Sequence, residues 1–241
     1  MRVTRKHAPI ITDYTMQSHV LNCVSNYKYL GIHLDSKLNP NTHIAETARK
    51  AMNLLYFIHR NFKKSTPLVR ERAYNVFVRP ILEYAVSSWD PYTDYGINRL
   101  ERVQRKAIRI VLQNFDYEGI STDTLLEQQG WQTLEQRRKI IRLSTLHKCK
   151  LGYPGLQDLG AFLQQPSYHS ARVDNDYKIC EIRAKTNQFK NSFLPRTIRD
   201  WNKLPNRAFE NNQCPGLPGY DQFRHNLKRH FSQKPHSDLT P

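Results

Sequence analysis

Between residues 39 and 150 apolar side chains return at spacings of three and four, and this period constrains the fold more than any other feature of the chain. Ile44, Ala48, Ala51, Leu55, Ile58 and Phe62 fall on one face of a helix. Asn39 and Pro40 ahead of them are a start signal, an N-cap followed by a proline whose missing N–H the first turn does not need. Together they predict a helix over 39–63. Thr66 and Pro67 repeat the signal before Leu68, Val69, Ala73, Val76 and Phe77, and Pro80 predicts a kink or a restart. Ile81, Leu82, Tyr84 and Ala85 make the next segment apolar enough for the core, and Trp89, Asp90, Pro91 and Tyr92 predict a break. A helix over 94–113 follows, with Leu100, Val103, Ala107, Ile110 and Val111 as its apolar stripe. Ser121 predicts the cap of a short helix that ends before Gly130. Thr133-Leu134-Glu135-Gln136 is a capping box that opens a helix to about Lys150, with Gly152 as its stop.

The first 35 residues carry period two instead. Ile10, Thr12, Tyr14 and Met16 alternate with Ile11, Asp13 and Thr15, and Gln17-Ser18 predicts a tight turn into residues 20–24. Residues 27–35 read as one further strand, with Leu30, Ile32 and Leu34 on one face and Tyr27, Tyr29, Gly31 and His33 on the other. A glycine inside a strand weakens it unless something must approach the backbone closely, and with tyrosines and a lysine beside it that something is expected to be a polynucleotide. The expected class is therefore mainly α with a small N-terminal antiparallel β element, an α+β chain. Its expected parts are a β element over 1–36, a helical region over 37–152 and a loop-rich connection over 153–190 with a short strand at 177–182. Short helices over 191–231 and a disordered tail over 232–241 complete it. Trp201 is expected to pack, Arg196 and Arg199 to face outward, and Phe223, Leu227 and Phe231 to share a face of the last helix. Strands this few and short need a sheet or helix to pack on.

Lysines and arginines exceed acidic residues by 16 in 241 residues. A field of that size favours a polyanion, most simply nucleic acid. No apolar run approaches the roughly 20 residues of a spanning helix, so no membrane partner is expected. The N-terminal residues lack the apolar centre of a secretory signal, which points to a nuclear or cytoplasmic protein. Cys23, Cys149, Cys180 and Cys214 are far apart, so four reduced thiols are expected rather than a zinc or disulfide framework. Asp174, Asn175 and Asp176 read as a solvated turn and not as a metal site. On the helix over 94–113 a second stripe, Arg99, Arg102, Lys106 and Arg109, is offset from the apolar one. Guanidinium groups spaced along a rod suit phosphates, because each planar fork can donate two hydrogen bonds.

The stretch Tyr27-Lys28-Tyr29-Leu30-Gly31-Ile32-His33-Leu34-Asp35 resembles the segment after the catalytic core in reverse transcriptases of non-LTR (LINE-like, jockey-type) retrotransposons. Further blocks follow in that family's order. They are Arg79-Pro80-Ile81-Leu82-Glu83-Tyr84-Ala85, Trp89-Asp90-Pro91-Tyr92, Leu100-Glu101-Arg102-Val103-Gln104-Arg105-Lys106-Ala107, Gly130-Trp131 with Leu134-Glu135-Gln136-Arg137-Arg138, and Ser192-Phe193-Leu194-Pro195-Arg196 running on to Pro205. The resemblance implies the end of a polymerase palm, with Lys28, Tyr29, Leu30 and Gly31 as a primer grip, then a thumb-like helical bundle and a C-terminal extension. It also implies RNA or DNA, as a primer–template backbone, for a partner, with Arg99, Arg102, Lys106 and Arg109 on the phosphates. Palm and fingers from outside this chain would be further partners.

The parent activity would be RNA-directed DNA polymerisation by two metal ions held by carboxylates. The family pairs two of these in a Tyr-x-Asp-Asp turn, and no adjacent Asp-Asp occurs in this sequence. No catalytic or metal-binding residue and no cofactor is therefore expected here. Magnesium would belong to a catalytic core before Met1, and the chain alone is expected to be inactive. The competing expectation is an inert or protein-interacting helical remnant of a truncated mobile element.

Overall fold

A computed structural model describes residues 1–3, 8, 12–170, 174–211 and 217–232. It is mainly helical, with a small antiparallel β element at the N-terminal end. β1 (Thr15–Met16) and β2 (His19–Val20) form a hairpin. Gln17 and Ser18 turn between them with φ of 47° and 67°, the mirror-image turn that matches strand twist. Part of the alternation expected over 10–16 falls on residues outside those described. β3 (Asn26–Tyr29) and β4 (Ile32–Asp35) form a second hairpin, in which Tyr29 faces Ile32 and Asn26 faces Asp35.

That second hairpin corrects the single strand expected over 27–35. Leu30 and Gly31 are the turn, with φ of 46° and 85°. Gly31 is there because the turn needs a left-handed backbone, which glycine adopts without a steric cost. Alternation could not show this, since a two-residue turn preserves period two on both sides. The Tyr84 hydroxyl donates to the Leu30 carbonyl at 3.0 Å and ties the tip down.

The chain divides into two compact units. The first holds the described residues up to Ala85 together with Trp89–Phe115. In it α1 (Asn41–Asn61) starts after Pro40, one residue later than expected and with no side-chain cap; the Asn39 side chain accepts the Asn41 N–H at 3.0 Å. α2 (Pro67–Ala73) opens at Thr66 with proline in its first turn. It runs through a wide turn (Tyr74–Val78) into α3 (Arg79–Glu83). In the wide turn the Arg79 N–H reaches back five residues to the Tyr74 carbonyl, which accommodates Pro80 with no N–H to give. α4 (Asp94–Leu112) is capped by the Thr93 hydroxyl and packs against α1. Ile44, Ala51, Leu55 and Ile58 of α1 and Leu100, Val103, Ala107 and Ile110 of α4 are buried. A Cβ at Gly96 would lie 2.8 Å from the Pro91 side chain and 3.2 Å from that of Ile44, so glycine is what permits the close approach. Arg70 is buried; its Nε donates to the Val111 carbonyl at 2.8 Å and its Nη1 to the Ser65 carbonyl.

The second unit holds Val86–Ser88 and the described residues from Asp116 onward. α5 (Thr122–Gln128) is capped by Ser121. α6 (Leu134–Lys150) opens with the expected capping box, and Gly152 follows it with φ of 70°. After α7 (Gln157–Gly160) and α8 (Asn187–Lys190), α9 (Phe193–Asn202) and α10 (Tyr220–Ser232) pack on α6. Their core gathers Leu143, Leu146, Ile198, Trp201, Phe209, Phe223 and Leu227.

No strand forms at 177–182, which corrects that expectation. The Asn202 amide takes the place of a neighbouring strand, accepting the Ile179 N–H at 2.9 Å and donating to the Ile179 carbonyl at 2.8 Å. Arg196 and Arg199, expected to face outward, are half-buried. Arg199 donates to the carbonyls of Pro195 and Lys190. The tail expected to be disordered lies outside the described residues from 233 on.

Candidate nucleic-acid interface

The β3–β4 hairpin brings Lys28, Tyr29, Leu30 and Gly31 together at one exposed tip, where Leu30 is 71% exposed. A cavity of about 330 Å³ lies beneath it, lined by Gly31 and His33 of the hairpin, His43, Thr47 and Lys50 of α1, and Tyr84. His43 fastens β4 to α1. Its Nδ1 accepts the His33 N–H at 3.2 Å, so the ring proton sits on Nε2, 3.3 Å from the Thr47 hydroxyl. Burial, and then the charges of His33 and Lys50, pull the His43 imidazole down to about 4. It is therefore neutral near pH 7. Its ring meets Trp89 edge-on at 4.7 Å.

The basic stripe of α4 divides. Arg102 is exposed, and Arg99 and Lys106 are half-buried with solvent access. Arg99 Nη1 donates to the Tyr95 hydroxyl at 2.9 Å, and its guanidinium carbon lies 5.9 Å from the Tyr95 ring centre. Lys106 Nζ lies 6.0 Å from the ring centre of Phe115. Arg109 is turned inward, 3% exposed, with Nη1 at 3.4 Å from the Asn114 carbonyl. After the left-handed Gln113 the chain folds back, and the Asn114 N–H bonds the Arg109 carbonyl at 3.0 Å. Helical spacing alone puts Arg109 on the basic side, but in the structure its side chain is buried. Neither Tyr95 nor Phe115 belongs to the basic stripe that the helical period defines. The signal for Tyr95 was its position one turn before Arg99.

Much of the positive charge on α6 is spent inside its own unit. Arg138 and Arg142 are buried. Arg142 donates to Asp200 at 3.0 Å and to the Thr197 hydroxyl at 3.2 Å, and Lys139 lies 3.5 Å from Asp200. Lys150 donates to the Tyr177 carbonyl at 3.1 Å, and burial pulls its ammonium below the usual lysine range.

The turn expected at Asp174, Asn175 and Asp176 is solvated only in part: Asp176 is exposed, Asp174 is half-buried and Asn175 is buried. Asp174 pairs with Lys178 at 2.8 Å, and the buried Asn175 amide donates to the carbonyls of Trp201, Asn202 and Leu204. Among the described residues, no group of three His, Cys, Asp or Glu side chains is placed to hold a metal ion. Cys23, Cys149 and Cys180 are free thiols; Cys214 lies outside the described residues. No helix among them is long and apolar enough to cross a membrane.

No protein-family model matches the chain, and no solved structure matches it. An uncharacterized protein of Caenorhabditis elegans is 27% identical over 132 residues, 55% of this chain and 67% of that protein. A probable RNA-directed DNA polymerase from transposon BS of Drosophila melanogaster is 28% identical over 107 residues. That match covers 43% of this chain and 12% of the polymerase. The likeness to the transposon polymerase supports a retrotransposon-related origin for this chain.

Proposed function

We propose that this chain is the nucleic-acid-binding part of a retrotransposon RNA-directed DNA polymerase, resembling the end of the palm, the thumb and the C-terminal extension. It holds a primer–template by its phosphates and adds no nucleotides itself. The observation that carries the reading is the solvent-accessible cationic edge of α4, with Arg102 exposed and Arg99 and Lys106 half-buried beside it, in a chain of net charge +16. Phosphates are held by such an edge without regard to base sequence. The hairpin tip at Lys28, Tyr29 and Gly31 supports the primer-grip assignment, since a small exposed turn can approach a strand end closely. The magnesium ions of nucleotide addition would be held by carboxylates outside this chain.

The test is direct. The chain, labelled primer–template and fluorescence anisotropy should give binding that weakens steeply with salt. With magnesium and nucleotides the same preparation should extend no primer. Lys28→Ala with Tyr29→Ala should weaken binding of a recessed 3′ end more than that of a blunt duplex. Extension by a clean preparation, or no binding at low salt, would contradict the reading.

The competing reading is a protein-interacting remnant. What favours it is the exposed apolar set Leu68, Val69, Val76 and Phe77 along α2 and the wide turn.

A further inference from the structure

The outer edge of α4 is not only cationic. By helical geometry of about 100° per residue, Tyr95, Arg99, Arg102 and Lys106 fall within an arc of roughly 60°. They span about 16 Å along the axis at 1.5 Å per residue. Phe115 extends the line beyond the C-terminal end, beneath the Lys106 ammonium and edge-on to His59 at 5.6 Å. Tyr95 is 64% exposed and Phe115 42% exposed. A purely duplex-binding edge needs cations alone, because the bases of a duplex are stacked on one another and cannot reach an aromatic ring. Rings at both ends of a cationic row are what an unpaired strand uses, each offering a face on which a base can stack while the row tracks the phosphates. Arg99 holds the Tyr95 ring by its hydroxyl, so the ring is positioned before any strand arrives.

We infer that the edge Tyr95–Arg99–Arg102–Lys106–Phe115 is a binding track for single-stranded RNA or DNA about four to six nucleotides long, with an unpaired base on Tyr95 and another on Phe115. The inference rests on the nucleic-acid-binding reading and adds the form of nucleic acid that this edge takes. Tyr95 and Phe115 select the unpaired state, and the cations between them supply affinity without sequence preference.

The test measures anisotropy of the whole chain with oligo(U), oligo(dT) and a duplex of equal length, at one salt concentration. A second readout uses a strand carrying 2-aminopurine, whose emission is quenched when the base stacks on a ring. Tyr95→Ala and Phe115→Ala should each weaken single-strand binding roughly tenfold, at about 1–3 kcal/mol per stacked base. Each should change duplex binding less than twofold and relieve part of the quenching. Tyr95→Phe, which keeps the ring and loses the hydroxyl, should retain the quenching. RNA and DNA arms of equal affinity would show that the track reads phosphate and base faces, not the 2′-hydroxyl. Duplex and single strand bound equally, with no effect of either alanine, would overturn the inference and leave the nucleic-acid-binding reading intact. Absence of binding to all three would overturn both.

Discussion

A single amide carries much of the order in the loop-rich part of the chain. Asn175 is buried, and its NH₂ group faces three carbonyl oxygens at 3.0 to 3.3 Å, those of Trp201, Asn202 and Leu204 at the end of α9 and in the turn after it. Its own oxygen accepts the Tyr177 N–H. Asn175→Asp would set a carboxylate against those carbonyls and should cost about 3 kcal/mol or more in urea unfolding. Asn175→Ala should cost about 1–3 kcal/mol. A change below about half a kcal/mol for the aspartate variant would show that the amide is not what holds this loop. Nothing in the sequence marks Asn175, because its partners lie 26 to 29 residues away and an Asp-Asn-Asp triplet usually signals a solvated turn. Arg109 shows the same limit. Its angular position was readable from the helical period; its burial was not, since that depends on packing beyond its own helix.

At the scale of elements, the helices were legible where a capping residue and an apolar period agree, as at Thr133 with Gln136 on α6 and Ser121 on α5. The hairpin of β3 and β4 was not, because the turn at Leu30 and Gly31 preserves the alternation that identified the strand. Two buried histidines join neighbouring elements. His43 links β4 to α1, and His147 of α6 stacks on Phe223 of α10 with ring centres 4.3 Å apart. Burial pulls each from an ordinary 6.5 down to about 4. Between those values the unfolded chain binds the protons and the folded chain does not, so stability rises with pH across the window. Both units should therefore lose stability as pH falls from about 6.5 toward 4, by roughly 1–3 kcal/mol for each histidine. Thermal unfolding at pH 7, 5.5 and 4.5 checks this. His43→Gln should flatten the dependence in part, and a melting temperature unchanged across the series would contradict the buried neutral imidazoles.

Over the whole molecule the excess of 16 positive charges is distributed unevenly in its use. Arg70, Arg138 and Arg142 are buried and serve packing, whereas Arg99, Arg102 and Lys106 keep access to solvent on α4. Net charge was legible from composition; which cations remain available was not, since burial is decided by packing between elements distant in sequence. The measurement that bears most directly on the account is the slope of log affinity against log salt for a duplex, for the unaltered chain and for the variant with Arg99, Arg102 and Lys106 all changed to alanine. Each lost phosphate contact should flatten the slope by about 0.9, so the variant should be flatter by up to about 3 units. Arg109→Ala, by contrast, should lower stability and leave the slope unchanged. A triple variant with the unaltered slope would contradict the account, because the edge of α4 would then carry no phosphate.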